Sequence, residues 1–209
     1  MSEPVKVLPR ALAVLLLALL SAHVLQSQTV RKAEELIRAG ALKEARAELE
    51  EVIRREPRNA EAHYRLAMLL LAPSFDEGED EAVDVIERAV ELEPDNADYQ
   101  YGKGAVYGVK AQRSGVIQQA FLASKIKNAF LRATQLNARH VAARIALIQY
   151  YRMAPGFMGG DRELADKHID TLIRVDRITG RIFRARMLEM DKDYEQAERE
   201  LKDLAQSEG

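Results

Sequence analysis

The sequence has no cysteine among its 209 residues. This absence excludes a disulfide framework, a thiolate zinc site and a cysteine nucleophile. Only 6 prolines and 11 glycines occur, so long stretches of the chain contain no helix breaker. The 31 Lys and Arg residues against 33 Asp and Glu residues give a net charge of −2. The chain therefore lacks the excess of basic residues that would indicate nucleic-acid binding.

The composition that remains is that of a folded, water-exposed chain. Hydrophobic residues make up 47% and charged residues 31%. This balance supplies both a buried core and a solvated surface, so it excludes a disordered chain and a multi-span membrane protein. The mass of 23.5 kDa leaves room for one or two domains.

Residues 1–28 have the organisation of an export signal. Lys6 and Arg10 precede the apolar run 11–20, and small residues follow it. These are the parts of a secretory signal peptide, and the run is shorter than the roughly 20 residues of a transmembrane helix. Retention of residues 11–25 as an inner-membrane anchor is one alternative, and an apolar helix that is not exported is another. With a cleaved signal or an anchor, we expect an exported, periplasmic protein.

Residues 29–209 contain an internal repeat. The hexapeptide 55–60 (REPRNA) recurs as 92–97 (LEPDNA), 37 residues later. Before each copy, small and apolar residues are spaced i, i+4 and i+7, which gives one buried stripe of an α-helix. In the first copy they are Ala45, Leu49 and Val52. The proline that follows ends the helix and starts a turn.

This pattern resembles the tetratricopeptide repeat, a helix–turn–helix unit of about 34 residues. Gly104 and Tyr107 also match the first-helix core of that family. The resemblance implies an all-α solenoid of about five helix pairs, because no pair can bury its apolar stripe alone. We expect the pairs at 29–56, 60–93, 97–137, 141–176 and 180–207. A compact bundle of unrelated helical hairpins is the alternative all-α fold.

Three units depart from the plain repeat. In unit two the extra residues form the acidic segment 72–80, for which we expect a solvated turn, with a calcium site as the alternative. Extra residues near 112–115 predict two lengthened helices in unit three. We expect their apolar residues to be additional core, and an exposed contact surface at the protruding end is the alternative. These residues are Ile117, Phe121, Leu122, Ile126 and Phe130.

Unit four contains the loop 154–161 (APGFMGGD), which resembles a loop in exported bacterial proteins of the same family. We expect a tight turn with Phe157 and Met158 packed on the stack, and a partner or ligand loop is the alternative. The loop residues concerned are Pro155, Gly156, Phe157, Met158, Gly159, Gly160 and Asp161.

No catalytic constellation is evident. The histidines form no His-Glu-x-x-His pair, and the glycines of the loop match neither a Walker motif nor a dinucleotide fingerprint. Asp161, Asp166 and His168 are the remaining metal candidates, but Asp166 and His168 face different sides of a helix. We therefore expect no enzyme, no metal and no cofactor, with Asp161 serving as a helix N-cap.

The resemblance implies that the first helix of each pair lines a concave binding face. The residues carried over to that face are aromatic, apolar and basic, which suits an extended or helical peptide. They are Tyr64, Met68, Tyr101, Ala105, Ile145, Gln149, Arg152, Arg184 and Leu188. Packing between helices is the alternative role for each of them.

The sequence thus predicts a non-catalytic scaffold that binds a protein or peptide outside the cytoplasm. We expect no nucleic-acid partner, and membrane contact only through an uncleaved N-terminal segment. One alternative is a membrane-anchored assembly factor. Another is a small-ligand or metal-binding module that uses the 154–161 loop.

Overall fold

The computed structural model describes residues 30–75 and 78–207. The predicted signal or anchor, residues 1–28, lies outside this part. The all-α prediction is confirmed, since the described residues form ten α-helices, one short 3-10 helix and no strand. None of the helices in these two ranges has both the length and the hydropathy needed to cross a bilayer.

The helices follow one another as five antiparallel pairs, close to the predicted boundaries. In chain order they are α1 (Arg31–Arg38), α2 (Leu42–Arg55), α3 (Ala60–Leu70), α4 (Glu79–Leu92), α5 (Ala97–Gln112), α6 (Val116–Leu136), α7 (Val141–Met153), α8 (Arg162–Val175), α9 (Arg177–Met190) and α10 (Tyr194–Ser207). The 3-10 helix Gly156–Met158 lies between α7 and α8.

The repeated turn motif builds the same junction twice. Asn59 and Asn96 cap α3 and α5, because each side-chain oxygen accepts a backbone N–H of the first turn. Each asparagine also donates to the glutamate three residues before it, at 2.7 Å from Glu56 and 3.0 Å from Glu93. The recurring Glu-Pro-x-Asn is therefore one hydrogen-bonded unit that ends one helix and starts the next.

A second position of the junction is filled by three different side chains. In each junction, the side chain six residues after the first turn residue contacts the backbone carbonyl oxygen of that turn residue. The pairs are His63 with Pro57 (3.1 Å), Gln100 with Pro94 (2.8 Å) and Arg144 with Ala138 (2.7 Å). The turn carbonyl therefore has a side-chain partner in each of these three junctions. Arg144 is buried, and it has no carboxylate partner in the described part of the chain.

The pairs stack in an open series. Each helix packs on its neighbours in sequence, and further contacts join α3 with α5 and α6 with the 3-10 helix. Two apolar clusters follow one another along the stack, the first reaching Val106 and the second starting at Tyr107. This linear order is that of a solenoid, in which a unit contacts only its neighbours. The alternative of a bundle around one closed centre is wrong.

Candidate partner-binding groove

The first helices of units two, three and four are not evenly spaced. Helix α3 packs directly against α5, but between α5 and α7 lies a groove of about 490 Å³. Helix α6 forms its floor, and the loop that follows α7 closes one end with Pro155 and Met158. The volume is within the range of roughly 300–1,000 Å³ that is typical of binding cavities.

Small residues on both walls keep this groove open. Gly104, Ala105 and Gly108 line it from α5, and Ala146 lines it from α7. These glycines differ in what surrounds them. A Cβ on Gly104 would lie 2.4 Å from the ring of Phe130, whereas a Cβ on Gly108 would meet no atom within 4 Å. Packing inside the chain therefore requires glycine at position 104 but not at position 108.

The lining of the groove is uncharged. Its polar members are two tyrosines and three glutamines, Gln112, Gln119 and Gln149, and the remainder is apolar or glycine. Met153 is 74% exposed at the rim. In a chain with 31% charged residues, this is an apolar surface without a covering element among the described residues.

The structure brings together five residues that were selected from the sequence. Tyr101, Ala105 and Gln149 line the groove with the loop residues Pro155 and Met158. Tyr101 contacts the rings of both neighbouring elements, since its centroid lies 5.9 Å from that of Phe130 and 5.3 Å from that of His140. Concave-face and loop candidates thus form one surface.

Three further candidates line a separate, smaller cavity. Arg152, Arg184 and Leu188 surround about 230 Å³ between α7, α8 and α9. The Arg152 side chain is only 6% exposed and pairs with Asp191 at 2.6 Å. This hydrogen bond holds the pKa of Asp191 below its ordinary value. Arg184 pairs with Asp170, so both guanidinium groups are already neutralised within the chain.

The other three concave-face candidates lie outside both cavities. Tyr64 is half-buried on α3, and its ring lies 4.9 Å from that of Tyr99; burial raises its pKa. Ile145 packs against the second apolar cluster. Met68 is half-buried on α3. Interhelical packing, the alternative stated for these positions, describes Tyr64 and Ile145.

The loop of unit four is a defined turn. The Tyr150 hydroxyl donates to the Met158 carbonyl oxygen, and Gly159 has a left-handed φ of +91°. A Cβ on Gly160 would lie 1.7 Å from the Ala154 carbonyl oxygen, so only glycine fits there. Gly156 begins the 3-10 helix.

Two expectations for that loop have opposite outcomes. The N-cap prediction for Asp161 is confirmed, because its carboxylate accepts the Leu164 N–H at 3.0 Å. The expected packing of Phe157 on the stack is wrong, because its side chain is 78% exposed, whereas Met158 is half-buried.

The extra core expected in unit three is also wrong in part. Helix α6 is lengthened as predicted, and it buries Leu122 and Phe130. However, Ile117 is 77% and Phe121 71% exposed, because they lie on the opposite side of the helix. Periodicity alone did not separate the buried face from these two residues.

The histidine considered as a metal ligand has another role. His168 stacks on Tyr151 at a centroid distance of 5.6 Å, and its Nδ1 lies 3.4 Å from Arg144. Burial, followed by the charge of Arg144, lowers the pKa of His168. Within the described ranges, no three His, Asp or Glu side chains group as metal ligands.

One charge signal was missed by the sequence reasoning because the net charge conceals it. Residues 99–160 contain nine Lys and Arg residues and no Asp or Glu. This segment comprises α6, α7 and nearly all of α5, which are the walls and floor of the groove. Counting charge by unit rather than over the whole chain would have found it.

Comparison with known proteins agrees with this architecture. Residues 30–73 match the family model described as tetratricopeptide repeat. No curated protein sequence matches the chain. Among solved structures, it is similar to TTC0263, a thermophilic tetratricopeptide-repeat protein of Thermus thermophilus. The identity is 14% and the TM-score 0.67, with 85% of this chain and 89% of that chain covered.

Two other bacterial structures are similar. MamA residues 41–end from Desulfovibrio magneticus RS-1 have 19% identity and a TM-score of 0.61, covering 88% of this chain and 95% of that chain. PilF of Pseudomonas aeruginosa has 15% identity and a TM-score of 0.65, with 88% and 77% covered. Together with the matched repeat, these similarities give the chain the tetratricopeptide-repeat fold.

Proposed function

We propose that this protein is a non-catalytic scaffold that binds a segment of another protein in the groove between α5 and α7. The observation that carries the proposal is the groove itself, an open, uncharged and mostly apolar surface between two first helices of a repeat stack. Contiguous exposed apolar surface on a soluble protein commonly marks an interaction site.

The rest of the stack supports this choice of surface. The second concave cavity contains arginines that are paired with Asp191 and Asp170. A partner that used those arginines would have to break existing ion pairs. The groove between α5 and α7 requires no such exchange, because its lining carries no charge.

Site-specific photocrosslinking tests the proposal. A benzophenone side chain at Gln149 lies in the groove, and the same group at Gln118 is exposed on α6 outside it. We expect a discrete adduct with a cellular protein from position 149 and none from position 118. Adding Gly108→Leu should abolish the adduct, because the leucine fills the groove. An adduct equally strong from both positions, or unchanged by Gly108→Leu, would contradict the proposal.

We further propose that the scaffold acts outside the cytoplasm, as a soluble periplasmic protein or as an anchored assembly factor. The basic and apolar order of residues 1–28 supports this. N-terminal sequencing of protein from cells distinguishes the forms: a start between His23 and Thr29 indicates cleavage, and Met1 or Ser2 indicates an anchor. A cytoplasmic pool with an intact N-terminus would contradict export.

A further inference from the structure

Helix α6 is longer than the other second helices of the stack, and the additional length lies at one end. It has 21 residues, whereas α2, α4, α8 and α10 have 14 each. Like α2 and α4, it ends two residues before the first residue of the following turn. The seven additional residues are therefore 116–122, the α6 tip, at the N-terminal end of the helix. At 1.5 Å per residue they extend α6 by roughly 10 Å.

The α6 tip exposes apolar side chains along one face. Val116, Ile117 and Phe121 are 66%, 77% and 71% exposed, and Ala120 between them is exposed as well. Positions i, i+1, i+4 and i+5 lie on the same side of an α-helix. Residues 114–124 contain no charged side chain. The tip is therefore an uncharged apolar surface that packing within the described chain does not use, which commonly marks a contact site.

Exposed apolar residues continue across units four and five on the same side of the stack. In a series of antiparallel pairs, every first helix ends and every second helix begins on one side, the tip side. Of the ten exposed large apolar side chains among the described residues, seven lie there. Besides the three of the α6 tip, they are Met153 and Phe157 in unit four and Met190 and Tyr194 in unit five. A surface spread over three units suits an extended partner rather than a single small pocket.

Unpaired lysines follow the apolar face of the tip. Lys125 comes four residues after Phe121, so it lies on the same stripe of α6, about 6 Å farther from the end of the helix. Lys127 is one turn further than Ala123, beside the loop of unit four. Neither lysine forms an ion pair with a carboxylate among the described residues. An apolar end followed by lysines is the order found where side chains insert below lipid headgroups and ammonium groups stay at the phosphates.

Carboxylates of the neighbouring units reach the tip side at the starts of α4 and α8, but they already have partners. The ion pairs are Glu79 with Arg113, Asp80 with Lys110 and Glu163 with Lys167, and Asp161 caps α8. Residues 99–160 contribute nine Lys and Arg residues and no Asp or Glu. The surroundings of the α6 tip are thus positively charged, which complements a surface of anionic lipid.

We infer that the tip side of units three to five contacts a lipid bilayer that contains anionic lipids, with the α6 tip inserted among the headgroups. From Ile117 to Lys125 the helix rises about 12 Å, close to the depth of roughly 5–10 Å that interfacial segments reach. A second copy of this chain is a poorer occupant, because it would bring a second positively charged unit three against the first. The contact depends neither on the groove nor on residues 1–28, the only segment for which membrane contact was expected from the sequence.

Fluorescence of one label in the full-length chain tests the inference, because the chain has no native cysteine. The environment-sensitive fluorophore NBD is attached at Ala120→Cys in the α6 tip. Its matched control is Gln135→Cys, which is also exposed but lies at the other end of α6. With vesicles of mixed phosphatidylcholine and phosphatidylglycerol, we expect emission at position 120 to rise at least twofold and emission at position 135 to stay unchanged. Pure phosphatidylcholine should give a smaller rise, and high salt should reduce the difference between the two lipids.

Variants that carry the label at position 120 connect the signal to the tip. Ile117→Glu with Phe121→Glu should abolish the rise, and both side chains are exposed, so the fold tolerates the change. Ile178→Glu with Leu201→Glu is the matched control, because it adds the same charge at two exposed apolar positions away from the tip side; the rise should persist. Lys125→Gln with Lys127→Gln should reduce the rise only with the mixed vesicles. Thermal unfolding verifies the folding of each variant.

Each contradicting result identifies what fails. No rise at position 120 with either vesicle, or a normal rise in the Ile117→Glu, Phe121→Glu variant, would overturn the bilayer contact. A rise that follows protein concentration without vesicles would show that a second copy covers the tip, which also overturns it. A discrete protein adduct from the benzophenone at Gln118 would assign the tip to a protein partner instead. Equal rises with both lipids would overturn the selection of anionic lipid. All of these outcomes leave the test of the groove unaffected.

Discussion

Helix α5 has two neighbours in the row of first helices, and it meets them differently. Towards α3, Gly102 lies against the ring of Tyr64, where an added Cβ would be 2.7 Å from Cε2. Towards α7, Gly108 faces empty space. Glycine thus allows close packing of α5 on α3 at one interface and leaves space between α5 and α7 at the other. A repeat stack consequently acquires a binding groove where two first helices separate, without any change in its fold.

The largest expected effect is the difference in unfolding free energy between substitutions on the buried and the exposed side of α6. Phe130 is 6% exposed and covers Gly104, whereas Phe121 on the same helix is 71% exposed. Phe130→Ala should lower the free energy of unfolding by about 3–5 kcal/mol, since it leaves a cavity. Phe121→Ala should change it by no more than about 0.5 kcal/mol. Chemical denaturation of both variants measures the difference, and equal losses would contradict the assigned helix faces.

The next effect compares the glycines of α5 directly. Gly104→Ala should destabilise the fold by about 1–3 kcal/mol, because its Cβ would overlap the Phe130 ring. Gly108→Ala should stabilise it by about 0.5–1 kcal/mol, because alanine is the better helix former and nothing opposes its methyl group. A stability change of 1 kcal/mol shifts the Tm of a chain of this size by about 2–4 °C, so thermal unfolding distinguishes the two variants. A loss of stability in Gly108→Ala would show that the groove is filled.

Removal of an N-cap at either copy of the junction should lower the free energy of unfolding by a smaller amount, equal in the two copies. Asn59→Ala and Asn96→Ala each remove one N-cap and should cost about 1 kcal/mol. Asp161→Ala, the cap of α8, serves as a third case with different residue chemistry. Unfolding free energies from urea titration measure the losses. A negligible loss at all three positions would contradict the hydrogen-bonded junctions.

The smallest effect is a pH dependence. Burial lowers the pKa values of His63 and His168 in the folded state, so below pH 6.5 the unfolded chain binds more protons at these positions. Stability from these groups is present above pH 6.5 and is lost as the pH falls from there towards the folded-state values. Thermal unfolding between pH 7.5 and 5.5 should show a shallower decline for His168→Gln than for the original chain. An identical or steeper decline would contradict burial of the neutral ring.

The fold was readable from the sequence because its determinants are local. Pro57 and Pro94 with their asparagines mark the turns, and the spacing of Ala45, Leu49 and Val52 gives the buried stripe. Both signals depend only on the repeat period. Pair boundaries consequently followed to within a few residues, even in units that lack the proline.

The candidate site could be predicted only in part, because residue spacing does not specify how the helix pairs stack. Family positions selected Tyr101, Ala105 and Gln149, which line the groove. They also selected Arg152, whose charge is neutralised by Asp191, 39 residues later. Ion pairs between units depend on the stacking geometry. The separation of α7 from α5 depends on it as well, so the groove itself appears only in three dimensions.

The most direct measurement of the central claim uses the absence of native cysteine, which leaves a single introduced thiol without background. Ala105→Cys places a thiol in the groove, and Ser124→Cys places one on the exposed surface of α6 outside it. With a saturating concentration of the protein captured by crosslinking from position 149, the maleimide reaction at position 105 should slow at least tenfold while that at position 124 stays unchanged. An unchanged rate at position 105 with that protein bound would contradict binding between α5 and α7.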